Sequence, residues 1–119
     1  MFGEKARRLI AEMPNCGRMP QPTCYARAEN PVCGDQVEVF LKLQDRRISE
    51  FQYLVAGCSG SVAGIAALSE MATDSSLEEA LEIDSSGISQ YLGGVPSIKE
   101  HGLELALTAF RSALNQIGI

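Results

Sequence analysis

The feature that most constrains this chain is a change of hydrophobic period at Gly57. From Gln36 to Leu43 the apolar residues Val37, Val39, Leu41 and Leu43 alternate with Glu38, Phe40 and Lys42, the two-residue period of a strand. The alternation returns from Ile48 to Ala56 through Phe51, Tyr53 and Val55. Asp45-Arg46-Arg47 between the runs reads as a turn, so the two strands should pair as an antiparallel hairpin. Beyond Gly57, Ser59 to Met71 is built mostly from small residues, with Val62, Ile65 and Leu68 or Ser69 at helical spacing. A helix with so little side-chain bulk can bring its backbone close to a sheet.

Other signals fill in the rest of the chain. Glu4 to Ala11 is helical in pattern, with Phe2, Ala6, Leu9 or Ile10 and Met13 recurring on one side, and Pro14 stops it. Asn15 to Pro31 reads mainly as loop, with Cys24 to Ala28 a short edge strand. Ser76 followed by Glu79 is a capping box that opens a short helix through about Ile83. Asp84 caps another from Ser85 to Leu92, ended by Gly93 and Gly94. The longest helix starts near Pro96, with Leu103, Ala106, Phe110, Ala113 or Leu114, and Ile117 on one face. Strands first and helices afterwards predict an α+β fold: a small antiparallel three-stranded sheet, an N-terminal helix, and several C-terminal helices packed on one face. With 119 residues, no repeat and no linker, residues 1–119 read as a single domain.

Composition removes several function classes. Acidic residues outnumber basic ones 15 to 10, for a formal net charge of -5, which argues against nucleic acid as a partner. No apolar run approaches the roughly 20 residues a membrane span needs, and the start of the chain lacks the apolar stretch of a signal peptide. A cytoplasmic protein with no membrane association is expected. Four cysteines in a reducing compartment point to thiolate chemistry or metal binding rather than disulfides.

Two of those thiols are placed to meet. Cys33-Gly34-Asp35 stands at the start of the first hairpin strand, and Cys58 follows the end of its partner, so both belong at one end of the sheet although 25 residues separate them in sequence. Cys58 also precedes a helix N-terminus, where free amide groups favour an anion. Asp35 can add an oxygen ligand on the side of Cys33. His101, the one histidine, lies near the start of the last helix. Cys33, Asp35, Cys58 and His101 make a four-ligand candidate for a soft or borderline metal. Cys16 and Cys24 are read as lying outside it. No oxyanion-hole or substrate-pocket signature accompanies Cys58 and His101, so an enzyme is not expected.

The runs Asn30-Pro31-Val32-Cys33-Gly34-Asp35-Gln36-Val37 and Gly57-Cys58-Ser59-Gly60-Ser61-Val62-Ala63 resemble the NifU/IscU/SufU-type iron-sulfur cluster scaffolds. Met13-Pro14-Asn15-Cys16-Gly17 is similar to the family's Asn-Pro-Arg-Asn-x-Gly, and Ser76-Leu77-Glu78-Glu79-Ala80 to its Ser-Leu-x-Glu-Ala. The resemblance implies a platform that binds a [2Fe-2S] cluster or iron, receives sulfur from a cysteine desulfurase and passes the cluster to apo-protein acceptors. The decisive departure from the pattern is near the C-terminus. Where the IscU branch has Pro-Pro-Val-Lys-Ile-His-Cys, this chain has Pro96-Ser97-Ile98-Lys99-Glu100-His101-Gly102, so Gly102 stands in place of the third cluster cysteine. That cysteine is tied to sulfur acceptance in the branch, and Ser97 alters the chaperone-recognition segment. The alternative is therefore a degenerate relative, zinc-binding or metal-free, serving as an interaction or regulatory subunit of a larger assembly.

Overall fold

The computed structural model describes residues 2–118. Its sheet has three antiparallel strands in the order β1 (Cys24–Glu29), β2 (Gln36–Gln44) and β3 (Arg47–Ala56). Helix α1 (Glu4–Glu12) precedes them, and α2 (Ser59–Ala72), α3 (Leu77–Leu81), α4 (Ser85–Leu92) and α5 (Glu100–Asn115) follow, with a single 3-10 turn at Ser97–Lys99 before α5. This is the expected α+β arrangement, including the edge strand read from Cys24 to Ala28.

The alternating residues sort as their period requires, except that Phe40, on the opposite face of β2, is buried as well. Val37, Val39, Leu41, Ile48, Phe51 and Tyr53 are buried beneath the helices, where Phe51 stacks on Phe110 of α5 with ring centroids 5.5 Å apart. Full burial of side chains of this size stabilises the fold by about 1.5–3 kcal/mol each. Helix α5 lies across β1 and β2, α2 packs on β3 and α5, and α1 packs on α2.

Two local features refine the pattern. Asp45 and Arg46 both have positive φ, 53° and 59°, as a tight two-residue hairpin turn demands, so Arg47 already belongs to β3. Lys42 pairs with Glu50 but Leu43 pairs with Ile48, leaving Ser49 as the extra residue of a bulge. The bulge explains how Ile48 and Phe51, three residues apart, both face the core.

Helix α2 is buried almost all round rather than along one stripe. Its closest backbone approach is to the last helix, not to the sheet. A Cβ on Gly60 would stand 2.7 Å from the Lys99 carbonyl oxygen, and one on Gly64 would stand 3.0 Å from the Leu103 side chain. Opposite them, a Cβ on Gly102 would fall 2.4 Å from the Ser61 nitrogen. The small residues of α2 thus let α5 sink onto it, and this contact sets His101 over the N-terminus of α2.

Candidate metal centre

Three chain segments meet at one end of the sheet. The first is the loop between β1 and β2, closed where Glu29 pairs with Gln36. The Asn30 side-chain oxygen accepts from the amides of Val32 and Cys33 at 2.9 and 3.4 Å, and the Gly34 amide donates to the Asn30 carbonyl at 2.7 Å. Pro31 and Gly34, the latter at φ 79°, complete a tight turn. Cys33 is therefore presented on an exposed turn rather than on an extended segment, while the chain folds back so that Asp35 is only 7% exposed.

The second segment is the junction of β3 and α2. Cys58 occupies the N-cap of α2, but its own side chain makes no capping bond. Asp35 performs that task from outside the helix: its Oδ2 accepts from the Cys58 amide at 3.1 Å and from the Ser61 hydroxyl at 2.8 Å. Gly57 is what makes room, since a Cβ there would lie 2.5 Å from the Asp35 carboxyl carbon. Burial tends to raise the Asp35 pKa, but bonds from the Cys58 amide, Ser61 and the two thiols outweigh it and hold the carboxyl below the usual aspartate range. The third segment, the start of α5, brings in His101.

Donor atoms of Cys33, Asp35 and His101 all lie within 4.8 Å of one another. Cys58 stands outside that tightest group but beside it, with Sγ 3.9 Å from His101 Nε2. Thiolate and imidazole ligands at about 2.0–2.3 Å in a tetrahedron are roughly 3.5–3.8 Å apart. The donors of Cys33, Asp35 and His101 would have to close by about one ångström to share an ion, and Cys58, outside their 4.8 Å group, would have to close further. The donor set is mixed, two sulfurs with a nitrogen and an oxygen, which suits zinc or iron rather than magnesium or calcium.

The other thiols are elsewhere. Cys24 is buried in β1 opposite Leu41, five pairs and so about 17 Å along the sheet from the Glu29–Gln36 pair, and burial pushes its thiol pKa up. Cys16 is exposed beside Tyr53 in the middle of β3. Gly102 does not face the donors: the space a third thiol would need there is filled by the backbone of Gly60 and Ser61. Ser61 and Gly57 carried no chemical signature in the sequence, yet both shape the site. Beside His101 opens a groove of about 660 Å³ between α4 and α5, lined by Ser85, Ser89, Glu100 and Glu104 among others.

Comparison with known proteins gives one consistent result. Residues 4–117 match the family described as NifU-like N terminal domain. The chain is 32% identical over 114 residues to the iron-sulfur cluster assembly scaffold protein IscU 1 of Archaeoglobus fulgidus, an alignment spanning 96% of this chain and 74% of that protein. It is 35% identical to the bifunctional protein NifU/MnmA of Rubrobacter xylanophilus, over 94% of this chain and 23% of the longer one. Among solved structures, the N-terminal NifU-like protein from Brucella abortus superposes with a TM-score of 0.81 at 17% identity, covering 97% of this chain and 92% of that one, a likeness of fold.

Proposed function

The chain belongs to the NifU-like N-terminal domain family, and on that premise we propose that it is a scaffold or carrier on which an iron-sulfur cluster is held through Cys33, Cys58, His101 and Asp35. The observation that carries this reading is the gathering of these donors, from residues 33, 35, 58 and 101, at one end of the sheet. The cluster is cargo rather than a permanent part of the protein, and the surroundings suit that use. Cys33 and His101 are exposed, so iron and sulfide can reach them from solvent and an acceptor can take the cluster away. Cys58 and Asp35 are more enclosed and anchor the other side.

Each residue has a definite part. The thiolates supply the soft ligands that iron-sulfur clusters take, and neutral imidazole supplies a borderline one. Asp35 contributes an oxygen, a weaker match to the cluster, which favours release over permanent retention. Donors and acceptors of the cluster are protein partners, a cysteine desulfurase and apo-proteins, that meet this exposed end. The protein acts by binding and transfer within one domain, residues 1–119, in the cytoplasm, and performs no catalysis of its own.

A second reading draws on Gly102. With no third thiol in the site, the chain can instead hold zinc, or no metal, as an interaction subunit. Anaerobic reconstitution with iron and sulfide separates the two. The expected product is coloured, with sulfide-to-iron charge-transfer absorption that disappears in Cys33→Ser and Cys58→Ser and survives in Cys16→Ser. A colourless protein with stoichiometric zinc and no iron would leave the interaction subunit standing. A full cluster in Cys58→Ser would mean the site lies elsewhere.

A further inference from the structure

We propose that Ser61 is a positioning residue of this site, fixing the Asp35 carboxylate so that one oxygen alone is offered to a bound ion; this rests on the metal-binding reading above. A carboxylate oxygen has two lone pairs directed at donors. Those of Asp35 Oδ2 are both used, one by the Cys58 amide at 3.1 Å and one by the Ser61 hydroxyl at 2.8 Å. The oxygen left over is Oδ1. Asp35 can therefore ligate through one atom without releasing either donor, whereas two-oxygen ligation would break both bonds.

The geometry around Ser61 commits its hydroxyl to the carboxylate. Its side chain is fully buried in the first turn of α2, and its single hydroxyl proton is directed at the carboxylate. The Gly102 backbone of α5 closes over the Ser61 amide, which prevents the turn from shifting. Gly57 lies close against the same carboxyl group, where a Cβ would stand 2.5 Å from the carboxyl carbon. Cys58 Sγ lies 3.9 Å from the same hydroxyl, which links the placement of the carboxylate to that of the thiol. Partners of this kind, once removed from a metal site, lower affinity by about 10–100-fold even though the ligands remain.

Anaerobic titration of the metal-free chain with Co²⁺ tests this directly. Wild-type protein should develop thiolate-to-cobalt charge-transfer absorption. Ser61→Ala should bind about tenfold or more weakly, reach the same charge-transfer intensity at saturation because both thiolates are retained, and alter the ligand-field bands. Ser61→Thr, which keeps the hydroxyl, should stay near wild-type affinity, and thermal melts of each variant verify folding. In an Asp35→Ala background the Ser61→Ala change should have no further effect, since its action passes through that carboxylate. Equal affinity of Ser61→Ala and wild type, an undiminished loss in the Asp35→Ala background, or Ser61→Thr as weak as Ser61→Ala would overturn the proposal. Wild-type protein with no charge-transfer band would instead overturn the metal-site reading beneath it.

Discussion

The two ends of the β-sheet are built on opposite plans. At the end that carries the Asp45-Arg46 turn, the backbone is closed off: the Leu77 amide donates to the Arg46 carbonyl at 3.0 Å, Ile48 donates to Ser75 at 2.9 Å, and Asp74 donates to Ile48 at 2.7 Å. The Ser76–Glu79 capping box and an Arg46–Glu78 ion pair at 2.8 Å finish it. At the other end, one tight turn and two helix starts project thiol, imidazole and carboxylate groups toward one point, and the fixing is done by glycines and one buried carboxylate. One end spends its polar groups on the fold. The other keeps donor atoms free for a ligand, and so depends on close backbone packing to stay in shape.

The contrast can be broken at its sharpest point by restoring the absent thiol. Gly102→Cys places a Cβ 2.4 Å from the Ser61 nitrogen and 2.5 Å from the Gly60 carbonyl carbon. Neither backbone atom can rotate away. Overpacking of this kind should cost about 2–3 kcal/mol, seen as a drop in melting temperature of roughly 10 °C, and the new thiol should add no third thiolate to the Co²⁺ spectrum. A variant that melts like wild type and gains such a ligand would show that α5 is not locked on α2.

A smaller effect sharpens the comparison from the other end. Ser76→Ala removes the capping box of α3, and loss of such a cap costs about 1 kcal/mol. Urea unfolding should show that loss while metal affinity stays unchanged, because no hydrogen bond of the box reaches the site. A parallel fall in metal affinity would mean the two ends are coupled through the sheet.

Much of this division is legible in the sequence, for physical reasons. Period-two and helical spacings are local, so β2, β3 and α5 can be read from single segments, and Ser76 with Glu79 or Asp84 before Ser85 mark helix starts by chemistry confined to a few residues. The placement of Cys33 and Cys58 at one end of the sheet follows from hairpin pairing alone. What escapes is whatever needs two distant segments at once. The bulge at Ser49 depends on register between strands, and the sinking of α5 onto Gly60 depends on residues 39 to 42 apart. Ser61 looks like one more small residue in a small-residue helix until the Asp35 carboxylate is seen against it.

The central claim is that Cys33 and Cys58 share one ion, and X-ray absorption at the zinc edge of stoichiometrically loaded protein tests it most directly. Two sulfur scatterers at about 2.3 Å, with nitrogen or oxygen at about 2.0–2.2 Å and the outer-shell pattern of one imidazole, are the expected result. A first shell of oxygen and nitrogen only, or a single sulfur, would contradict it.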